Sequence, residues 1–299
     1  MDITCLLAAA CGITGTAVSI AYQVQERNKL HFDYGLFTQL DPDYIQKDWA
    51  FRREKQAMEM AAGFINAFSW LLLAIPIVQT TVILSRGGTR KLAAHIAIGV
   101  LIVAGCSMEF LARFMHLGQS NWGVWLSTEY NLENWVTPTS GDNIGWRTLE
   151  VAHLVNFGTV IWIDSFEYLC LGFALILLYA SVNSLPPGGP QITRALAGFG
   201  LFIGLFSLAE FIAGVLRLED WSTFRVLTML ISVINQLILI PIFLLVLGCQ
   251  LPRAMAQHKE EVVSRGAGLT TGSRHWVDSQ RSPRSPNGSS AVEMTPQGQ

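Results

Sequence analysis

ALAGFGLFIGLFSLAEFIAGVLR, residues 195–217, decides the fold. Between Arg194 and Arg217 it carries a single charge, Glu210. A bilayer core of ~30 Å asks for roughly 20 consecutive apolar residues in a helix, and this stretch supplies them. Gly200 and Gly204 form a GxxxG step of the kind that lets membrane helices approach closely.

Five further runs have the same character: residues 3–24, 57–84, 92–117, 151–182 and 225–249. The sequence therefore predicts an all-α fold, a polytopic membrane bundle of six transmembrane helices. Composition agrees, since 51% of the 299 residues are hydrophobic and 14% charged, against roughly a quarter charged in soluble domains. The charges crowd into 25–59, 85–91, 129–150 and the stretch after 252. Residues 1–250 read as the transmembrane domain. Residues 251–299, rich in Ser, Pro and Gly, read as a disordered tail that cannot bury enough apolar area to offset its chain entropy. In that tail Ser282, Ser285 and Thr295 each precede proline, a minimal kinase-site pattern, so a kinase or another cytoplasmic partner is expected there.

The lipid bilayer is the first partner the composition implies. A net charge of −2 with no basic stripe excludes nucleic acid. The five cysteines lie in or beside apolar runs, without a CxxC pair, and read as small packing residues. Residues 1–24 lack the basic n-region of a signal peptide and read as a retained helix. Lys and Arg divide evenly between the two sides; the compact SRGGTRK (85–91) favours both termini in the cytoplasm, against Arg27 and Lys29.

Phe64-Ile65-Asn66-Ala67-Phe68-Ser69-Trp70-Leu71 aligns with Trp162-Ile163-Asp164-Ser165-Phe166-Glu167-Tyr168-Leu169, 98 residues on. Glu109-Phe110 and Glu210-Phe211 recur 101 residues apart. Both spacings fit one duplicated helix pair, and Val233-Ile234-Asn235 suggests a third, weaker copy.

Within each helix the polar residues recur at spacings of three and four and so share a face. Helix 2 carries Glu59 and Asn66, and helix 3 carries Cys106, Glu109, Arg113 and His116. Helix 4 carries Glu150, His153, Asp164 and Glu167. Helix 5 carries Ser207, Glu210, Gly214 and Arg217, and helix 6 carries Arg225, Thr228, Ser232 and Asn235. Alternating helix direction puts all these stripes in one half of the membrane.

A charge at the bilayer centre costs at least roughly 2.5–3.5 kcal/mol on insertion scales. Glu109, Asp164, Glu167 and Glu210 should therefore face the interior. Glu109 and Arg113 have ion-pair spacing. Glu210 lacks that partner, because Gly214 stands where the other copy has arginine, and so needs one from another helix or a proton. Asp164 has little reach to snorkel and is the leading single candidate. Glu59, Glu150, Arg217 and Arg225 lie near helix ends, where reaching for the interface is ordinary.

Three functions follow. The first is binding or passage of a small cation, proton or polar solute through a one-sided polar cavity, with Glu109, Arg113, Asp164, Glu167 and Glu210 as relay. Asn66, His116, Glu150, His153, Arg217 and Asn235 support it. The second is a scaffold or receptor-like protein whose polar network is structural. The third is a haem or metal protein in which His116 and His153, with the ExxH of Glu150 and His153, supply ligands. No cofactor is expected under the first two. No Walker A, HExxH or GxSxG motif occurs, so no catalytic residue is assigned.

Overall fold

The computed structural model describes residues 1–30, 42–85, 92–129, 144–184, 192–216 and 221–257; some side chains in these ranges, Asp164, Glu150, His153 and Arg225 among them, are not described. All the described elements are helical. They are α1 (Ile3–Leu30), α2 (Pro42–Ser85), α3 (Leu92–Glu129), α4 (Ile144–Asn183), α5 (Arg194–Leu216) and α6 (Trp221–Ile234). α6 passes into a π-turn, Asn235–Leu239, and the helix resumes over residues 240–257. Among the described residues six helices are long and apolar enough to cross a membrane. The protein is a multi-pass membrane protein.

Successive helices pack against each other in chain order, and the π-turn closes back onto α1. Lipid tails are as apolar as leucine, so helices in a bilayer associate through close packing and hydrogen bonds. Glycines supply the closeness. A Cβ on Gly172 of α4 would come within 2.9 Å of the Gly204 carbonyl, and a Cβ on Gly204 within 2.9 Å of the Gly172 carbonyl. Gly200 faces Phe243 instead. Large apolar side chains such as Val100, Phe202, Leu205 and Ile238 point outward, as a lipid-facing surface requires.

The first helix and the last are joined by their ends. Asp2 caps α1, its Oδ1 accepting from Thr4 N–H at 2.9 Å and Cys5 N–H at 3.3 Å. Its own N–H donates to the Gly248 carbonyl at 2.7 Å. That carbonyl is available because residue 252, which would supply its α-helical donor, is proline. Both ends of the bundle thus meet on one face.

Every helix but α5 is longer than the sequence reading allowed; the longest are α2 with 44 residues, α4 with 40 and α3 with 38. At 1.5 Å per residue each reaches about 60 Å, twice the hydrocarbon thickness. Residues 42–56 and 118–129 are therefore helical, where charge and polarity suggested connections. Lys, Arg, Glu and Gln are good helix formers, and Asp48 and Arg52 pair one turn apart at 2.9 Å. The disordered tail expected beyond residue 250 lies outside the described residues from 258 on, while 251–257 belong to the last helix.

Candidate functional site

Glu109, Glu167 and Glu210 occupy α3, α4 and α5 with exposures of 0%, 1% and 1%. Each lies about 25 Å along its helix from the short-connection end, at Leu92, Asn183 and Arg194 respectively. They therefore share one level, toward the side where α2, α3 and α4 run on beyond the bilayer.

Helix contacts explain how each is held. On α3, Glu109 forms an ion pair with Arg113, the i,i+4 pairing the spacing implied. One turn back, Gly105 lies against α4, where a Cβ would stand 2.8 Å from Cys170 Cβ and 3.3 Å from the Glu167 carbonyl. Glu109 and Glu167 thus belong to one α3–α4 seam. On α5, Asn235 Nδ2 donates to Glu210 Oε2 at 3.2 Å and to Ser207 Oγ at 3.0 Å. Ser207 and Asn235 are both fully buried. A partner from another helix is what Glu210 required, and the first residue of the π-turn provides it. Gly214 has its own use: a Cβ there would sit 2.6 Å from Ser165 Oγ, so glycine brings α5 against α4 beside the carboxylates.

Asn66 repeats the amide arrangement elsewhere, its Nδ2 donating to Ser19 Oγ of α1 at 3.0 Å. His116 does not join the carboxylates of α3–α5. Its Nε2 lies 3.4 Å from Glu59 Oε1, in a second cluster where α2 and α3 extend. There Arg52 bonds Asp48 at 2.9 Å and Glu59 at 2.8 Å, and Ser120 donates to Glu59 Oε2 at 2.6 Å. Trp49, 2% exposed, fills the slot left by Gly123, and Arg52 lies 5.5 Å from its ring centroid. Reading residues 42–56 as a connection hid Asp48 and Arg52 from sequence analysis, although their i,i+4 and i,i+7 spacings were there to be read. The side chains of Asp164, Glu150 and His153, and all of Arg217, lie outside what is described. Among the described residues no group of three or more His, Cys, Asp or Glu is placed to hold a metal ion.

A third polar group went unread. Thr16 Oγ1 donates to Gln236 Oε1 at 2.9 Å, and Gln236 Nε2 donates to Tyr168 Oη at 2.6 Å. Tyr168 Oη also meets Ser232 Oγ at 3.2 Å, and its ring stands edge-on to Trp70 at 5.8 Å. This chain ties α1, α4 and α6 together. Beside it lies a cavity of about 20 Å³, lined by residues including Thr16, Asn66, Ser69 and Gln236 and by none of the three buried glutamates.

No family model matches the chain, and neither a curated protein nor a solved structure matches it.

Proposed function

We propose that the protein binds and passes a proton or small cation across the membrane, with Glu109, Glu167 and Glu210 as the groups that hold it in transit. Asp164, next to Ser165 on α4, is assigned to the same relay. The observation that carries this reading is the burial of three carboxylates at one level on three successive helices. Ionisable groups at such depth are costly and mark ion and proton paths in membrane proteins. The π-turn beside Glu210 adds support, because such turns recur at functional sites.

A duplicated helix pair is part of the proposal. Trp70 and Tyr168, equivalent in the 98-residue alignment, meet each other at 5.8 Å. Asn66 and Asn235 each donate to a serine of the preceding helix at 3.0 Å. The face on which Asp2 meets Gly248 is assigned to the cytoplasm.

The test is proton- and cation-driven flux in vesicles reconstituted with the full chain, comparing wild type with Glu210→Gln, Glu109→Gln and Asp164→Asn. Flux in wild type that drops at least tenfold in folded variants supports the relay. No flux from any sample, with variants that only melt earlier, favours the scaffold reading. A specific observation already speaks for that reading, since Glu109 and Glu210 are both held by named partners.

A further inference from the structure

The cavity between α1, α2 and the π-turn has an unusual lining. In the π-turn the Ile240 N–H bonds Asn235 O rather than Gln236 O. The next donor in π register, at position 241, is proline, which has no N–H. Neither helical register therefore offers the Gln236 carbonyl a donor, and it turns toward Gly12 of α1. A Cβ on Gly12 would stand 3.9 Å from Gln236 O and 3.0 Å from Ser69 Oγ, so the missing side chain leaves both oxygens facing one spot. Thr16 and Asn66 complete the polar lining.

The hydroxyl hydrogens around this spot are already committed. The Thr16 hydroxyl donates to Gln236 Oε1 at 2.9 Å and the Ser69 hydroxyl to the Ala8 carbonyl at 3.3 Å. The two amide nitrogens are turned onto other partners, Asn66 Nδ2 onto Ser19 and Gln236 Nε2 onto Tyr168. Lone pairs remain: the Gln236 carbonyl and the Ser69 hydroxyl oxygen at Gly12, and beside them the Thr16 hydroxyl oxygen and the Asn66 amide oxygen, which lies against Gly15 one turn along α1. A buried water makes about three hydrogen bonds, and from such a wall it could only donate. A cation needs only acceptors. Irregular helix carbonyls freed inside a bundle are what transporters use to coordinate monovalent ions, and neutral oxygens alone suffice for them. A divalent ion would want carboxylates, and none lines the cavity.

We propose that the spot framed by Gly12, Thr16, Asn66, Ser69 and the Gln236 carbonyl binds one dehydrated alkali cation, sodium or potassium. A volume of about 20 Å³ has room for one such ion. The site stands apart from the buried glutamates and does not rest on their role in transport, because an ion here would lock α1 to α2 and the last helix whether or not anything crosses.

The experiment is thermal unfolding of the purified full chain in detergent, in sodium, potassium or choline chloride at equal ionic strength. Binding to the native state raises Tm with the logarithm of ion concentration. At a hundredfold over half-saturation the rise over choline is about 5 °C or more. Gly12→Ala fills the spot and should abolish the difference between salts. Ser69→Ala, which removes an oxygen without adding bulk, should weaken it and decides the matter should Gly12→Ala not fold. Ile13→Ala, on the outer face, should keep it. Equal Tm in all three salts, or a salt difference unchanged in Ser69→Ala, overturns the proposal.

Discussion

Replacing Asn235 by leucine, similar in size but without the amide, tests how the last helix is held to α5. Asn235 is fully buried and its Nδ2 serves two acceptors, Glu210 Oε2 at 3.2 Å and Ser207 Oγ at 3.0 Å. Interhelical hydrogen bonds in a bilayer contribute about 0.6–1.7 kcal/mol, and one to an ionised group about 1.5–3 kcal/mol. Asn235→Leu should therefore destabilise the bundle by about 2–4 kcal/mol, or roughly 5–15 °C in Tm for a domain of this size. Glu210→Leu removes one of the two acceptors, so Asn235→Leu in that background should cost only about 1 kcal/mol, the share due to Ser207. The assay is a double-mutant cycle by denaturant titration in mixed micelles, with a coupling of about 1.5–3 kcal/mol expected. Additivity to within about 0.5 kcal/mol would refute the assignment of Asn235 as the partner of Glu210.

Alanine scanning of the glycines should split them into opposite signs. Gly172→Ala or Gly204→Ala forces α4 and α5 apart against a carbonyl 2.9 Å away and should cost about 1–3 kcal/mol, whereas Gly99→Ala, with nothing within 4 Å, should stabilise α3 by up to about 1 kcal/mol; Tm separates the two. Gly123→Ala puts a Cβ 1.9 Å from Trp49 Cη2, so the indole must leave its slot, read as a red shift in emission relative to wild type in a protein whose other tryptophans are replaced by phenylalanine. Arg52→Met strands Asp48 and Glu59, both largely buried, and should cost about 3–5 kcal/mol in the same unfolding titration, while Lys55→Ala on the exposed pair with Glu54 should change stability by less than about 0.5 kcal/mol.

The six crossings were legible because an apolar run of bilayer length has few other uses. Helix ends were less so. Lys47 to Gln56 reads as a connection by charge, yet Arg52 there pairs with Asp48 and with Glu59 along α2, and α3 continues beyond His116 to bring Ser120 to Glu59. The need of Glu210 for a partner on another helix could be read from Gly214. Which residue would answer could not, because the register of α6 against α5 is set by a π-turn that no composition announces. The same turn hid Gln236, an ordinary glutamine in sequence. Glu109 and Arg113 needed no tertiary information at all, since their partnership is local.

A π-turn accommodates one more residue than an α-helix would over the same contacts. Asn235–Leu239 can be regarded as a single inserted residue, and its placement alters how this chain should be aligned with itself. Asn66 and Asn235 stand 169 positions apart. Past the turn the matching interval becomes 170, which sets Ile240 opposite Trp70, and both border the same cavity. An alignment without a gap falls out of step at this point, so under the proposed duplication the likeness of the last helix to α2 is cut short there. Excising one residue from 235–239 would remove the offset and let an α-helix run through with the contacts on either side kept, that of Gly248 with Asp2 among them. The last helix can thus differ in length by one residue at this turn while its seat on the first helix is kept.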